Sequence, residues 1–132
     1  MLTELLIRTG GRAELVDITG QVQDVVSASD VTSGVCYITI PHTTAGLTLN
    51  ENWDPAVRDD ILHALDVLVP RVGDYRHAEG NSPAHMKSIL TGHSLVIMVE
   101  NASLVLGTWQ GIYLAEYDGP RQRRVLVKVI SE

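Results

Sequence analysis

The sequence predicts a mixed α+β domain, and three observations carry that prediction. Val, Ile and Leu crowd the start, middle and end of the chain, and Phe is absent; β-branched residues of this kind favour sheet. The two steps Asp54-Pro55 and Ser82-Pro83 have the form of a helix start, a capping side chain followed by proline. The strand-like runs come in groups instead of alternating with helices, which is the order of an α+β fold and not of repeated βαβ units. The chain has 132 residues, 45% apolar and 20% charged, which suits a single domain spanning 1–132 with a core that needs no disulfide or structural metal.

In chain order, Thr3 to Arg8 and Arg12 to Ile18 read as strands around Gly10-Gly11, a hairpin pattern. Asp17 or Thr19 caps a helix through Val22, Val25 and Val26 to about Ser29. Gly34 to Ile40 is a nearly unbroken apolar run, the pattern of a strand buried on both faces. Leu47 to Asn50 is a short strand. The helix opened by Asp54-Pro55 places Val57, Ile61, Leu65 and Leu68 at helical spacing and ends at Pro70. A polar loop, Arg71 to Gly80, leads to a second short helix that closes near Gly92. Ser94 to Glu100, Leu104 to Leu106, Trp109 to Glu116 and Arg123 to Ile130 are strands, with a turn at Asp118-Gly119-Pro120 before the last.

Composition narrows the function classes. Ten basic residues against sixteen acidic ones leave a net charge of -6, which argues against a general nucleic-acid binder. No apolar run approaches the roughly 20 residues of a membrane helix, and the N-terminus lacks the basic-then-apolar order of a signal peptide. The one cysteine, Cys36, has no internal partner and sits in an apolar run, as a small core residue would. A cytoplasmic protein is the expectation, with no membrane and no nucleic-acid partner.

Chemistry-bearing residues gather at a few places. His42 follows the apolar strand in Pro41-His42-Thr43-Thr44-Ala45-Gly46, His77 lies in the polar loop, and His85 lies in the helix after it. Histidines with carboxylates suit a divalent metal or acid/base work near neutrality, although no HExxH-type spacing occurs. His63 and His93 read as surface or packing residues. Asp54 reads as a cap. Glu51 and Asp60 sit where a carboxylate either finds a partner or serves a site. Arg121, Arg123 and Arg124 concentrate charge; on a strand Arg121 and Arg123 share a face and suit phosphate, or protect a sheet edge. Trp109, in Gly107-Thr108-Trp109-Gln110-Gly111, is a pocket wall or plain packing.

The runs Pro41-His42-Thr43-Thr44-Ala45-Gly46-Leu47-Thr48, Asn50-Glu51, Tyr75-Arg76-His77, Gly80-Asn81, Ala84-His85, Leu106-Gly107-Thr108-Trp109-Gln110 and Asp118-Gly119-Pro120-Arg121 together resemble the signature of the YjbQ-like family. Asp54, Val57, Asp60 and Arg123 continue the match, which covers nearly the whole chain. The resemblance implies a mixed seven-stranded sheet with about three helices, and a homotrimer around a threefold axis. It implies that the His and acidic residues meet in a cleft, between subunits in one arrangement. It also implies an activity, since family members are labelled secondary thiamine-phosphate synthases, a label that reflects a weak side reaction.

Carried onto this sequence, the resemblance gives His42, Glu51 and Asp60 a catalytic role. It makes His42, His77 and His85 ligands of a divalent metal, zinc or magnesium. It assigns Thr43, Thr44, Asn81, Trp109, Gln110, Arg121 and Arg123 to a phosphorylated small-molecule substrate. The reaction so implied is transfer of a pyrimidine diphosphate group to a thiazole phosphate. Metal-dependent hydrolysis of a small phosphorylated substrate and a non-enzymatic ligand- or metal-binding module are the alternatives.

Overall fold

The computed structural model describes residues 1–132. The elements are β1 (Leu2–Arg8), β2 (Glu14–Asp17), α1 (Thr19–Ala28), β3 (Gly34–Thr39), β4 (Ala45–Glu51), α2 (Pro55–Leu68), α3 (Ser82–Thr91), β5 (Ser94–Glu100), β6 (Ser103–Leu104), β7 (Gln110–Glu116) and β8 (Gln122–Ser131). The α+β class and the three helices agree with the sequence. The sheet does not. Eight strands form two sheets, ordered β1-β8-β3-β5-β6 and β2-β7-β4, and every pairing is antiparallel.

The expected hairpin at Gly10-Gly11 is a corner between the sheets. β1 pairs along its whole length with β8, and β2 pairs with β7. Gly119, in the cis Gly119-Pro120 turn, makes the matching corner between β7 and β8. A Cβ on Gly119 would lie 2.3 Å from the Gly11 carbonyl oxygen, so the two corners fit together only because that side chain is missing.

Three layers follow from the burial. Ile7, Cys36, Ile38, Ile97, Val125 and Val127 project from the five-stranded sheet onto Ile112, Leu114 and Leu47 of the smaller one, with Val22 and Val26 of α1 completing this core. The opposite face of the small sheet, Leu15, Tyr113, Ala115 and Tyr117, packs under Ile61, Leu62 and Leu65 of α2 and Ala84 of α3. Burial on both faces therefore belongs to β7, the middle strand of that sheet. β3 alternates instead, with Cys36 and Ile38 inward and Tyr37 half exposed. No helix or strand covers the outer face of the five-stranded sheet, and Leu2, Leu6, Tyr37, Val96, Met98 and Ile130 lie bare on it.

The helix signals are local, and the one at α2 holds in full. The Asp54 carboxylate accepts from the Ala56 amide at 2.9 Å, the N-cap bond expected of it. Asp17 accepts from the Thr19 amide at 2.9 Å, one residue before the true N-cap, Ile18. At α3 the cap position is Asn81, one residue earlier than expected. Leu68, set on the apolar stripe by its spacing, is exposed, and Asp66 contacts the buried Lys87 ammonium. No helix is long and apolar enough to cross a membrane.

Candidate functional site

β4 and α3 build the site where they meet. The Ser88 hydroxyl donates to the Ala45 carbonyl at 2.6 Å, and the Leu47 amide donates to the Gly92 carbonyl at 3.0 Å. Gly46 permits this approach: a Cβ there would lie 2.7 Å from Thr91 Cβ and 3.0 Å from the Gly92 oxygen. Gly92 itself ends the helix at φ 89°, a left-handed value that glycine adopts without strain. A pocket of about 430 Å³ opens at this junction, lined by His42, Thr43, His85, Ser88, Ile89, Gly92 and His93. His77 stands against its rim, its ring edge-to-face with His85 at a centroid distance of 5.4 Å.

His42 is held by the sheet. The Arg124 amide donates to its Nε2 at 2.9 Å, so the neutral ring carries its proton on Nδ1. Burial first, and then the charge of Arg123, hold the imidazole below its ordinary pKa, with Glu116 opposing. His42 therefore offers the pocket a donor, Nδ1–H, and not a free lone pair.

Arg123 lies inward. It is 2% exposed and meets Glu116 through Nε at 2.9 Å and 3.1 Å, and Thr44 through Nη2 at 3.0 Å to the carbonyl and 2.9 Å to the hydroxyl. The Thr9 hydroxyl donates to Glu116 at 2.7 Å and the Asp118 amide donates at 3.0 Å. These bonds keep the Glu116 carboxyl ionised, its pKa below the ordinary value although burial pushes the other way. A buried pair survives desolvation only when its remaining valences are filled in this manner. Arg123 and Thr44 thus brace the His42 loop and form no phosphate surface.

Arg121 lies in the turn before β8, not on the strand, and does not share a face with Arg123. Its guanidinium is half exposed and donates to the Asp118 carbonyl at 2.8 Å and carboxylate at 3.1 Å. Asn81 Nδ2 donates to the same carboxylate at 2.9 Å, which ties Arg121 to the N-terminus of the helix that carries His85. His42, Thr43 and His85 therefore line one pocket with His77 packed on His85, while Asn81 and Arg121 meet on Asp118 at the N-terminus of α3.

The remaining expected site residues fall elsewhere. Glu51, Trp109 and Gln110 sit at the far end of β4 and the start of β7, where Glu51 and Gln110 face each other. Seven strand residues separate them from Thr44, roughly 20 Å. Trp109 packs edge-to-face on Trp53 at 5.7 Å, both exposed. Gln110 Oε1 accepts from the Gly107 amide at 2.8 Å. Asp60 is exposed on α2 with no hydrogen-bond or ion-pair partner. His93 is the residue that sequence reasoning missed. Its one signal is position, since its carbonyl accepts from the Ile40 amide at 3.0 Å and so joins the His42 loop to the strand after α3.

A divalent metal does not fit the donors of one chain. No three His, Cys, Asp or Glu side chains converge to hold an ion, and the Nε2 lone pair of His42 is already engaged.

The comparisons agree with this architecture. The family model described as UPF0047 protein YjbQ-like matches residues 3–132. The chain is 48% identical to UPF0047 protein MJ1081 of Methanocaldococcus jannaschii over 132 residues, covering 100% of this chain and 96% of the relative. It is also 48% identical to UPF0047 protein YugU of Bacillus subtilis, covering 99% and 100%. Among solved structures, the YjbQ/UPF0047 family protein of Clostridium acetobutylicum superposes at a TM-score of 0.95 with 52% identity, covering 97% of this chain and 99% of that one. A YbjQ-like protein of unknown function from Sulfolobus solfataricus superposes at 0.96 with 33% identity, covering 100% and 97%.

Proposed function

Given that the chain belongs to the UPF0047 YjbQ-like family, we propose that it is a small-molecule enzyme acting on a phosphorylated substrate in the histidine-lined pocket between β4 and α3. One observation carries the reading. Three histidines from separate segments, His42, His85 and His93, line a single pocket, with the Arg121 guanidinium close enough to depress the pKa of His42. Loops on a rigid frame bring such groups together where chemistry is done.

In this reading Arg121 takes the phosphate oxygens, since a guanidinium makes paired, charge-assisted hydrogen bonds to them. His42 donates Nδ1–H to developing negative charge. His85, backed by His77, gives a proton to the departing diphosphate oxygen. The reaction placed first is of the thiamine-phosphate synthase kind. The bond from the pyrimidine methylene to the diphosphate oxygen breaks, a bond forms from the methylene to the thiazole nitrogen, and diphosphate leaves with the electron pair. We also propose that the chain works as a homotrimer, supported by the bare apolar face of the five-stranded sheet. We place it in a reducing compartment, supported by its single buried thiol.

The test is a turnover assay with hydroxymethylpyrimidine diphosphate and thiazole phosphate, following product by mass. Slow turnover is expected in the native protein, with a loss of about 100-fold or more in His85→Ala and Arg121→Ala. Unchanged rates in both variants would remove the pocket from the reaction. Turnover of simple phosphate esters that stops on chelation would replace transfer by metal-assisted hydrolysis.

A further inference from the structure

Glu116, the last residue of β7, is fully buried just before the corner between the sheets. Its carboxylate draws four stretches of the chain together. The Thr9 hydroxyl, after β1, and the Asp118 amide, in the turn after β7, both donate to it. Arg123, near the start of β8, donates to both of its oxygens. Through Arg123 Nη2 the contact extends to the Thr44 carbonyl and hydroxyl, just ahead of β4.

These stretches hold the groups assigned to the reaction. Thr44 closes the run His42-Thr43-Thr44, and Arg124, next to Arg123, donates its amide to His42 Nε2 at 2.9 Å. Arg123 thus fixes His42 from two directions, through the loop and through the strand, and Glu116 fixes Arg123. Arg121 is held in the same manner. Its amide donates to the Thr9 hydroxyl at 2.9 Å and its guanidinium donates to Asp118, and Glu116 accepts from both of those residues.

Stability alone does not account for an ion pair at this place. Well-packed apolar side chains do as well or better in a core, whereas a buried pair that loses one partner is costly. What the charges add is direction, because a guanidinium meets a carboxylate in few geometries. His42 shows what that direction decides. A neutral imidazole free in water favours the proton on Nε2. Here the Arg124 amide occupies Nε2, so the proton sits on Nδ1, the less favoured form. That form persists only while the His42 loop and Arg124 keep their spacing.

We propose that Glu116 is the positioning residue of the histidine pocket: through Arg123 it holds the His42 loop against the Arg124 amide and so fixes the Nδ1–H form of His42, and through Thr9 and Asp118 it sets the place of Arg121. The effect on turnover rests on the reading of this pocket as the reacting site, whereas the effect on the imidazole does not.

The test is long-range proton–nitrogen NMR of the His42 ring at about pH 8, where the ring is neutral, beside the turnover assay with hydroxymethylpyrimidine diphosphate and thiazole phosphate. The native ring should be Nδ1–H. Glu116→Gln removes the charge that Arg123 answers and should turn His42 largely to Nε2–H. Its kcat should fall about tenfold or more with KM within about threefold, because Nδ1–H serves charge that develops only in the transition state. Val127→Ala opens the core on the same strand and should leave the Nδ1–H form in place, which separates positioning from lost stability. Thr44→Val breaks the chain of contacts one link further on with the ion pair intact and should give a mixture of the two forms, and it decides the matter if Glu116→Gln does not fold. A native ring in the Nε2–H form overturns the proposal. So does an unchanged ring in Glu116→Gln, or in Thr44→Val where that variant alone folds, and so does the same change in Val127→Ala. A changed ring in Glu116→Gln with unchanged turnover supports the positioning and removes His42 from the reaction.

Discussion

His42 owes its protonation state to one main-chain hydrogen bond and to burial. The Arg124 amide occupies Nε2, and its surroundings hold its pKa under the ordinary 6.5. The sign of the pH effect follows. Above a pH of about 6.5 the ring is neutral in both the folded and the unfolded chain, and no stability depends on it. As pH falls below that value the unfolded chain takes up the proton first, so the fold loses stability until the folded ring is protonated too. Melting temperatures measured from about pH 7.5 down to 5 should therefore fall more steeply for the native protein than for His42→Gln, which keeps an acceptor for the Arg124 amide. Parallel curves would mean that His42 is not held neutral by the fold. Arg123 carries a different lesson at this scale. Its residue type fits a phosphate grip and a buried brace equally, and only its 2% exposure beside Glu116 separates them.

At the scale of elements, the helix starts were legible because their causes are local. Asp54 caps the residue two positions on, and proline sets its own φ. Strand partners were not legible, because nothing in Gly10-Gly11 says whether β1 turns back on β2 or crosses to β8, 120 residues along. The register of β1 with β8 sets Leu5 opposite Val125 and turns Leu5 and Ile7 into the core beside Val125 and Val127, and that burial outweighs a short hairpin. The contact of β4 with α3 is also tertiary, and it can be tested through Gly46. A Gly46→Ala change puts a Cβ inside contact distance of Thr91 and should lower stability by about 1–3 kcal/mol, read as a fall in the urea midpoint at unchanged slope. A variant as stable as the native chain would show that α3 is free to move off β4.

For the whole molecule, the layer order explains what is covered and what is not. The small sheet has a core on one face and α2 with α3 on the other, whereas the large sheet has a core on one face only. Val96 and Met98, more than 60% exposed, sit on that bare face beside Tyr37 and Ile130. Contiguous apolar surface of this kind marks association. Sedimentation equilibrium should give a trimer mass for the native chain and a monomer mass for Val96→Glu/Met98→Glu. A native monomer would remove the assembly from the functional reading. The same scale explains why the expected catalytic set divides. His42 and Glu51 are nine residues apart in sequence, but β4 runs between them as an extended strand and carries them to opposite ends of the sheet.

The sequence by itself determined the α+β class, the three helices and the capped start of α2, the fate of Cys36 in the core, and family membership through motifs spread over the chain. Each of these rests on neighbours in the chain or on residue type, which can be read in one dimension. Tertiary structure alone decided the split into two antiparallel sheets, the inward turn of Arg123, the recruitment of His93 to the pocket and the distance of Glu51, Trp109 and Gln110 from it. Those outcomes depend on which distant strands bury their apolar rows together, and burial is a property of the packed whole that no local spacing contains.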